Sequence, residues 1–143
     1  MYTLDASVHI SALNPAESAS ANSQAFLDQV QRRRLPLFCP TLLLVEVAAA
    51  AARALGNTER AVMLAATLHG WSNQRLIPLD EALADRAANL AAVARLRGAD
   101  AVYAAVAQRY STTLITLDRQ QLERLPPLVR TARPGDVLPD LIA

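Results

Sequence analysis

The chain has 143 residues and a formal net charge of +1; 52% of its residues are apolar and 4% aromatic. This is the size of one ordinary domain, expected over residues 1–143, with an aliphatic core and without the global basic field of many nucleic-acid-binding proteins. All 14 lysine and arginine positions hold arginine and Cys39 is the only cysteine, which excludes lysine-dependent sites, disulfides and thiolate zinc sites.

The hydrophobic pattern predicts strands that alternate with helices. In the first half of the chain we expect a strand over residues 2–5, helices from Ala6 to Leu13 and from Ser20 to Arg33, a strand from Leu37 to Cys39, a helix capped by Thr41 that runs to Leu55, and a helix from Thr58 to Ser72. In the second half we expect a strand from Leu76 to Leu79, a helix from Glu81 to Arg97 stopped by Gly98, a helix from Ala99 to Tyr110, a strand from Thr113 to Thr116, a helix from Arg119 to Leu125, an edge strand from Leu128 to Thr131, and an irregular tail.

This alternation is typical of an α/β fold, with a short parallel sheet of four or five strands and helices on both faces. In such sheets, sites form beyond the carboxyl ends of the strands. Asp5 and Asp118 each follow a strand, and Glu46 and Asp100 lie on helices that could close the same crevice.

No signal peptide is expected, and the longest apolar stretch, near residues 42–52, is too short to cross a membrane. A cytoplasmic setting is the expectation.

Each of the four acids also has a plain structural explanation. Asp5 and Asp118 could cap the helices that follow them, and Asp100 could pair with the dipole of its own helix. Glu46 fits such an explanation least, because its neighbours one helical turn away are all apolar. If the four carboxylates converge, they form an oxygen cage suited to Mg²⁺ or Mn²⁺.

Four segments carry a family resemblance in the order in which they occur along the chain. They are Leu4-Asp5-Ala6-Ser7, Pro40-Thr41-Leu42-Leu43-Leu44-Val45-Glu46-Val47, the run from Arg97 to Ala107 with Asp100, and Leu114-Ile115-Thr116-Leu117-Asp118. With these motifs the chain resembles the PIN-domain ribonucleases of the VapC toxin type over nearly its whole length.

The resemblance implies a PIN-like three-layer fold and a metal-dependent endoribonuclease. It implies that Asp5, Glu46, Asp100 and Asp118 are the catalytic residues and hold one or two Mg²⁺ or Mn²⁺ ions. It also implies an RNA substrate, a cognate antitoxin that blocks the toxin, and a homodimer. Helices 42–55 and 60–72 have more aliphatic surface than a small monomer needs to bury, which is compatible with an antitoxin groove or with a homodimer interface.

Further residues are candidates for supporting roles. The hydroxyls of Ser7 and Thr116 could orient the carboxylates, although a local cap or an ordinary strand position explains them as well. Arg97 and Arg119 flank two of the acids and are candidates for holding RNA, as is the run Arg32-Arg33-Arg34. Asp136 could be an outer carboxylate, but a plain turn explains it better.

Three other functions remain as alternatives. One is a housekeeping PIN nuclease in RNA processing, which a neighbouring antitoxin gene or growth arrest would distinguish from a toxin. Another is a catalytically silent RNA-binding or scaffold module, which the complete set of acids disfavours. The third is a phosphoacceptor receiver domain, which the absence of lysine disfavours.

Overall fold

A computed structural model describes residues 1–143 and contains five strands and eight helices. The strands are β1 (Tyr2–Leu4), β2 (Leu37–Pro40), β3 (Gln74–Ile77), β4 (Thr113–Ile115) and β5 (Thr131–Ala132). The helices are α1 (Ala6–Leu13), α2 (Ser20–Arg32), α3 (Leu42–Leu55), α4 (Thr58–His69), α5 (Glu81–Ala94), α6 (Gly98–Tyr110), α7 (Arg119–Arg124) and α8 (Pro134–Ile142). None of the helices combines the length and the apolar character needed to cross a membrane.

The strands form one sheet in the order β3-β2-β1-β4-β5, and every pair in it is parallel. In β1, Thr3 and Leu4 point to opposite faces of the sheet, and both are completely buried. Helices therefore cover both faces at the centre of the sheet. The predicted α/β fold, a short parallel sheet flanked by helices on both faces, is confirmed.

The strand order reverses its direction at β1. From β1 the chain adds β2 and β3 on one side, and then returns to add β4 and β5 on the other. In the β1–β4 pair, Leu4 lies opposite Ile115, and the Asp5 amide continues the ladder by donating to the Ile115 carbonyl at 3.0 Å. Asp5 and the residues after β4 are consequently brought to the same edge of the sheet, at the crevice where parallel sheets bind ligands.

Helix α6 forms the centre of the core. Its residues from Asp100 to Ala107 are all buried, and it packs against β1, β2 and β4. A helix buried on all sides needs small side chains for close approach, and alanine occupies four of these eight positions. Asp100 lies in the first turn of this buried helix, so the fold holds its carboxylate firmly.

Several predicted boundaries were wrong by two or more residues. Strand β3 lies at Gln74–Ile77, because Pro78 lacks the amide hydrogen that the ladder would need next. Helix α4 ends at His69 and not at Ser72. Helix α5 ends at Ala94, closed by the left-handed backbone of Arg95 (φ 54°), and Gly98 instead begins α6. Thr41 occupies the cap position of α3, but its side chain makes no capping hydrogen bond.

The tail differs most from the prediction. Strand β5 lies at Thr131–Ala132 and not at Leu128–Thr131, since Leu128 donates its amide to the Leu125 carbonyl in a turn. The tail expected to be irregular forms α8, with Pro134 at its start and the Asp136 side chain accepting from the Arg133 amide. Proline suits the first turn of a helix because its missing N–H has no partner there, so Pro134 initiates a helix instead of preventing one.

Candidate active site

A cleft of about 390 Å³ opens at the carboxyl edge of the sheet, beside the ends of β1 and β4. Residues from four separate segments line it, among them the four acids that the sequence singled out, Asp5, Glu46, Asp100 and Asp118. Ser7 and Arg97 lie in the same lining. The predicted convergence of the acids in one crevice is therefore present in the fold.

Asp5 is held by the junction of β1 and α1. Its backbone is extended, and its side chain caps α1, with Oδ2 accepting from the Ser7 amide at 3.2 Å. The same oxygen accepts from the Thr116 hydroxyl at 3.2 Å. Only 6% of the residue is exposed. The cap explanation is thus true of Asp5, and the residue that caps α1 also lines the cleft.

Thr116 and Ser7 join the two strand ends. The Thr116 hydroxyl donates to Asp5 and accepts from the Asp118 amide at 3.0 Å, so this side chain links the Asp5 carboxylate to the backbone of Asp118. The Ser7 hydroxyl accepts from the Leu117 amide at 3.1 Å and ties the start of α1 to the segment after β4. The Thr116 hydroxyl thus contacts a carboxylate, whereas the hydrogen bond of the Ser7 hydroxyl is to the backbone beside the cleft.

Arg97 bridges two of the acids on the solvent side. Its Nε donates to Oδ2 of Asp100 at 3.0 Å, and its Nη2 donates to Oδ2 of Asp118 at 3.0 Å. The Arg97 side chain is 71% exposed, whereas those of Asp100 and Asp118 are 10% and 22% exposed. The guanidinium is therefore a cation that lies over the mouth of the cleft and can leave it without disturbing the core.

Gln121 supports the acids from below, and the sequence prediction missed it. Its backbone amide donates to Oδ1 of Asp118 at 2.9 Å. Its side-chain Nε2 donates to Oδ1 of Asp100 at 2.9 Å and, more weakly, to Oδ1 of Asp5 at 3.4 Å. The residue is completely buried. The available signal was the spacing Asp118-x-x-Gln121, a helix cap followed by a polar residue in the first turn.

Glu46 projects from α3 and is half-buried. Burial raises the pKa of Glu46; the Tyr103 hydroxyl, which has no hydrogen-bond partner of good geometry, lies close enough to Glu46 to act against that increase. Burial has the larger effect, and the charges of Asp5 and Asp100 raise the pKa further. Glu46 thus shares the electrostatic environment of the other acids.

The cleft disfavours negative charge in the absence of a cation. Burial raises the pKa of Asp5, and the charge of Asp100 adds to that increase against the hydrogen bonds from Ser7 and Gln121. For Asp5 and Glu46 alike, loss of water and neighbouring carboxylates act in the same direction. A cation bound among these groups would relieve both effects.

The other candidates lie outside the cleft lining. Arg119 pairs with Glu123 at 2.7 Å along the exposed surface of α7. Asp136 lies in the first turn of α8, where its side chain accepts from the Arg133 amide, and not in the plain turn that was expected; it does not line the cleft. Of the run that ends α2, Arg33 donates to the Leu141 carbonyl at 2.7 Å and helps to fasten α8. Conversely, the exposed Glu17 lines the cleft and was not predicted to do so.

The donor set fits a hard divalent cation, although the arrangement is not that of a loaded site. No three His, Cys, Asp or Glu side chains are close enough together here to coordinate one ion. The outer oxygens of Asp100 and Asp118 nevertheless converge on a single guanidinium, which shows that they can be directed to one positive charge. Carboxylate oxygens are the ligands that Mg²⁺ and Mn²⁺ prefer.

Comparison with protein families and structures agrees with this architecture. The sequence pattern of the PIN domain matches residues 2–126, which is most of the chain and includes all four acids. No curated protein sequence matches the chain.

Solved structures share the fold at low sequence identity. FitAcB from Neisseria gonorrhoeae superposes with a TM-score of 0.70 at 23% identity, covering 94% of this chain and 98% of that one. VapC20 of Mycobacterium tuberculosis, a sarcin–ricin loop cleaving toxin, gives 0.68 at 16% identity and covers 83% and 91%. A toxin–antitoxin complex from Klebsiella pneumoniae gives 0.64 at 18% identity and covers 94% and 98%. At these identities the likeness shows the fold alone.

Proposed function

The chain belongs to the PIN domain family, and from this premise we propose that it is a metal-dependent endoribonuclease that cleaves RNA phosphodiester bonds. The observation that carries the proposal is the cleft itself, where acids from four distant segments meet beside buried donors that orient them. Burying like charges together is unfavourable for folding, and such sites are kept where chemistry needs them.

In this proposal Asp5, Glu46, Asp100 and Asp118 hold one or two Mg²⁺ or Mn²⁺ ions. Bound there, such ions supply an activated water and neutralise the charge on the phosphate. The Thr116 hydroxyl orients the Asp5 carboxylate, the Ser7 hydroxyl ties the start of α1 to the segment after β4, and the buried turn of α6 holds Asp100. The protein thus contributes rigid positioning, which is worth most when the acids need not reorganise during the reaction.

Arg97 and Arg119 are the proposed contacts to the RNA backbone. Arg97 is mostly exposed at the mouth of the cleft, and a guanidinium released from Asp100 and Asp118 could pair with a phosphate by two parallel hydrogen bonds. Arg119 begins the helix that Asp118 caps, although its pair with Glu123 turns it along the surface. We expect Arg97 to contribute more to RNA binding than Arg119.

The test is cleavage of RNA by the purified protein with Mg²⁺ or Mn²⁺ and with a chelator. We expect cleavage only with metal. Asp5→Asn, Glu46→Gln, Asp100→Asn and Asp118→Asn should each lower the rate by about 100-fold or more while the protein stays folded, because each removes a charged oxygen ligand. Asp85→Asn changes the net charge equally at an exposed position of α5 and should cleave like the parent.

Two results would contradict the assignment. One is RNA cleavage that persists in the chelator. The other is full activity of both Glu46→Gln and Asp118→Asn, since the proposal gives both residues a direct role in holding the metal.

We further propose that the nuclease is a cytoplasmic toxin neutralised by a cognate antitoxin. The support is the fold shared with a toxin–antitoxin complex and with a toxin that cleaves the sarcin–ricin loop. The charge of the cleft suggests a partner segment with apolar anchors and an arginine directed at the acids, in the manner of Arg97. Apolar side chains exposed on α3 and α4, Val45, Val62 and Met63, are available for this partner or for a homodimer.

Binding of the product of a neighbouring gene tests the partner. The parent should retain it in a pull-down, and the Asp5→Asn/Asp118→Asn double variant should retain it more weakly. Equal retention would exclude the arginine contact while leaving the nuclease assignment intact. Absence of any partner, together with unaffected growth on expression, would favour a housekeeping nuclease. Sedimentation of the purified protein tests the homodimer separately.

A further inference from the structure

We propose that Gln121 is a positioning residue of the proposed nuclease site, one that holds the Asp5 and Asp100 carboxylates in the orientation that binds metal. This inference rests on the proposed function. It concerns a residue that is not acidic and does not line the cleft, and it assigns a role to the one buried side chain that contacts carboxylates from two different segments.

The contacts of Gln121 reach three of the four acids. Its backbone amide donates to Asp118, and its carboxamide Nε2 donates to Asp100 at 2.9 Å and to Asp5 at 3.4 Å. All three bonds end on the Oδ1 atoms. The Oδ2 atoms of Asp100 and Asp118 remain for Arg97, and those are the oxygens on the solvent side. Gln121 therefore takes up the inner oxygens and directs the outer ones toward the mouth of the cleft.

The chemistry of the carboxamide determines which way it points. The opposite orientation would set the Gln121 oxygen against two carboxylates, and two acceptors of this kind repel each other. In the observed orientation Oε1 is buried and has no hydrogen-bond partner. A buried acceptor without a partner is unfavourable for stability, so packing alone does not explain a glutamine here. Its Nε2 donor, directed at two carboxylates, does explain it.

A donor behind a ligating carboxylate acts on metal affinity through orientation. It fixes the plane of the carboxylate before the ion arrives, and losing such a partner typically weakens metal binding or activity by about 10- to 100-fold. Asp5 and Asp100 depend on Gln121 in different degrees. Asp5 has two further donors on Oδ2, whereas Asp100 has only the largely exposed Arg97 besides Gln121. Loss of Gln121 should therefore affect Asp100 most.

The experiment compares Gln121→Met with Gln120→Met in the full chain. Methionine retains the length of the side chain and the backbone amide but removes the carboxamide donors, and Gln120 is an exposed neighbour on the same helix. Calorimetric titration with Mn²⁺ should show about 10- to 100-fold weaker binding for Gln121→Met and no change for Gln120→Met. At saturating Mn²⁺, kcat for RNA cleavage should fall in Gln121→Met while KM stays near that of the parent.

The outcomes separate this inference from the nuclease assignment. If the parent and Gln121→Met bind Mn²⁺ with equal affinity and cleave with equal kcat, Gln121 is a structural residue and the inference is wrong. If neither the parent nor Gln120→Met binds Mn²⁺ or cleaves RNA, the proposed function fails and the inference fails with it. Should Gln121→Met not fold, Gln121→Asn, whose carboxamide is one methylene too short to reach both acids, takes its place under the same criteria.

Discussion

Asp100 and Asp118 each have their two oxygen atoms in different surroundings. The inner Oδ1 atoms accept from Gln121, which is completely buried, and the outer Oδ2 atoms accept from Arg97, which is largely exposed. An incoming ion meets the outer atoms first. Arg97 is consequently a competitor of the ion for the same two oxygens, even though its charge also relieves the repulsion between the acids.

Replacing Arg97 tests this competition. We expect Arg97→Gln to bind Mn²⁺ a few-fold more tightly than the parent, because exposed ion pairs of this kind are weak and their loss frees two ligand oxygens. Calorimetric titration measures the change. Arg32→Gln, an exposed change of equal charge at the end of α2, should leave the affinity unaltered. Weaker Mn²⁺ binding by Arg97→Gln would mean that the guanidinium supports the ion instead of opposing it.

His9 gives the fold a pH dependence that is separate from the acids. It is buried in α1 against Trp71, with 5.5 Å between the ring centroids, and its Nε2 has no hydrogen-bond partner. Burial lowers the pKa of His9 from 6.5 to about 4. The unfolded chain therefore binds a proton below about pH 6.5 that the folded chain does not bind, so stability decreases as the pH falls from 6.5 towards 4.

Urea unfolding at pH 7.5 and pH 5 measures this contribution. The parent should lose about 2 kcal/mol more of its free energy of unfolding over this interval than His9→Leu, in which nothing titrates at that position. His69→Leu, at the exposed end of α4, should behave like the parent. Equal losses in the parent and His9→Leu would show that His9 becomes protonated inside the fold.

Among the elements, α8 has a structural role distant from the cleft. It packs against α2, buries Leu138 to 8% exposure, and receives a hydrogen bond from Arg33 at the Leu141 carbonyl. None of its residues lines the cleft. The helix should therefore contribute to stability and leave the chemistry unaffected.

Shortening the Leu138 side chain tests whether α8 affects stability without affecting RNA cleavage. Leu138→Ala should lower the free energy of unfolding by about 2–4 kcal/mol, since it leaves a cavity between α8 and α2. RNA cleavage at a temperature well below the unfolding midpoint should remain within about two-fold of the parent. Ile142→Ala, 66% exposed on the same helix, should change the stability by less than about 0.5 kcal/mol. A large loss of cleavage in folded Leu138→Ala would connect α8 to the site.

The helices and strands differ in how far the sequence alone predicts them. The strands that carry the site, β1 and β4, were predicted to within one residue, because an apolar run ends at an acid in each case. Asp5 and Asp118 were found for the same reason, whereas Glu46 was found as a lone acid inside an apolar helical run and Asp100 as the acid that opens one. Gln121 was not found, because a glutamine in a short helix is ordinary, and its burial arises only when α7 packs over the strand ends. Helix α8 was missed because Pro134 and Pro139 normally indicate an interrupted helix. Pro134 is compatible with a helix only because α8 begins there.

At the scale of the whole molecule, charge is distributed unevenly. Five of the 13 acidic residues line the cleft together with Arg97, which leaves eight acids and 13 arginines over the rest of the chain. Once the cleft is neutralised, the outer surface has an excess of positive charge, which suits a polyanion such as RNA. Binding of the ion and binding of the substrate should therefore favour each other.

Metal should stabilise the entire fold. An ion that binds the folded chain alone, present at about 100 times its dissociation constant, adds about 2.7 kcal/mol, which corresponds to a rise of about 5–10 °C in the midpoint for a domain of this size. Thermal unfolding with Mn²⁺ and with a chelator measures the rise. The Asp5→Asn/Asp118→Asn variant should show none of it and should equal or exceed the parent without metal. An unchanged midpoint of the parent would argue against a formed metal site.

The central place of β1 in the sheet has a consequence for the order in which the molecule is made. β1 is synthesised before the other strands. Its partner β4 lies more than 100 positions later, as do Thr116 and Gln121, the two residues that orient Asp5. Contacts of such long sequence separation form late and slowly, after local helices. A growing chain therefore has no assembled cleft until the segment through Gln121 has been synthesised, so the proposed nuclease activity should be absent while that segment is still being made.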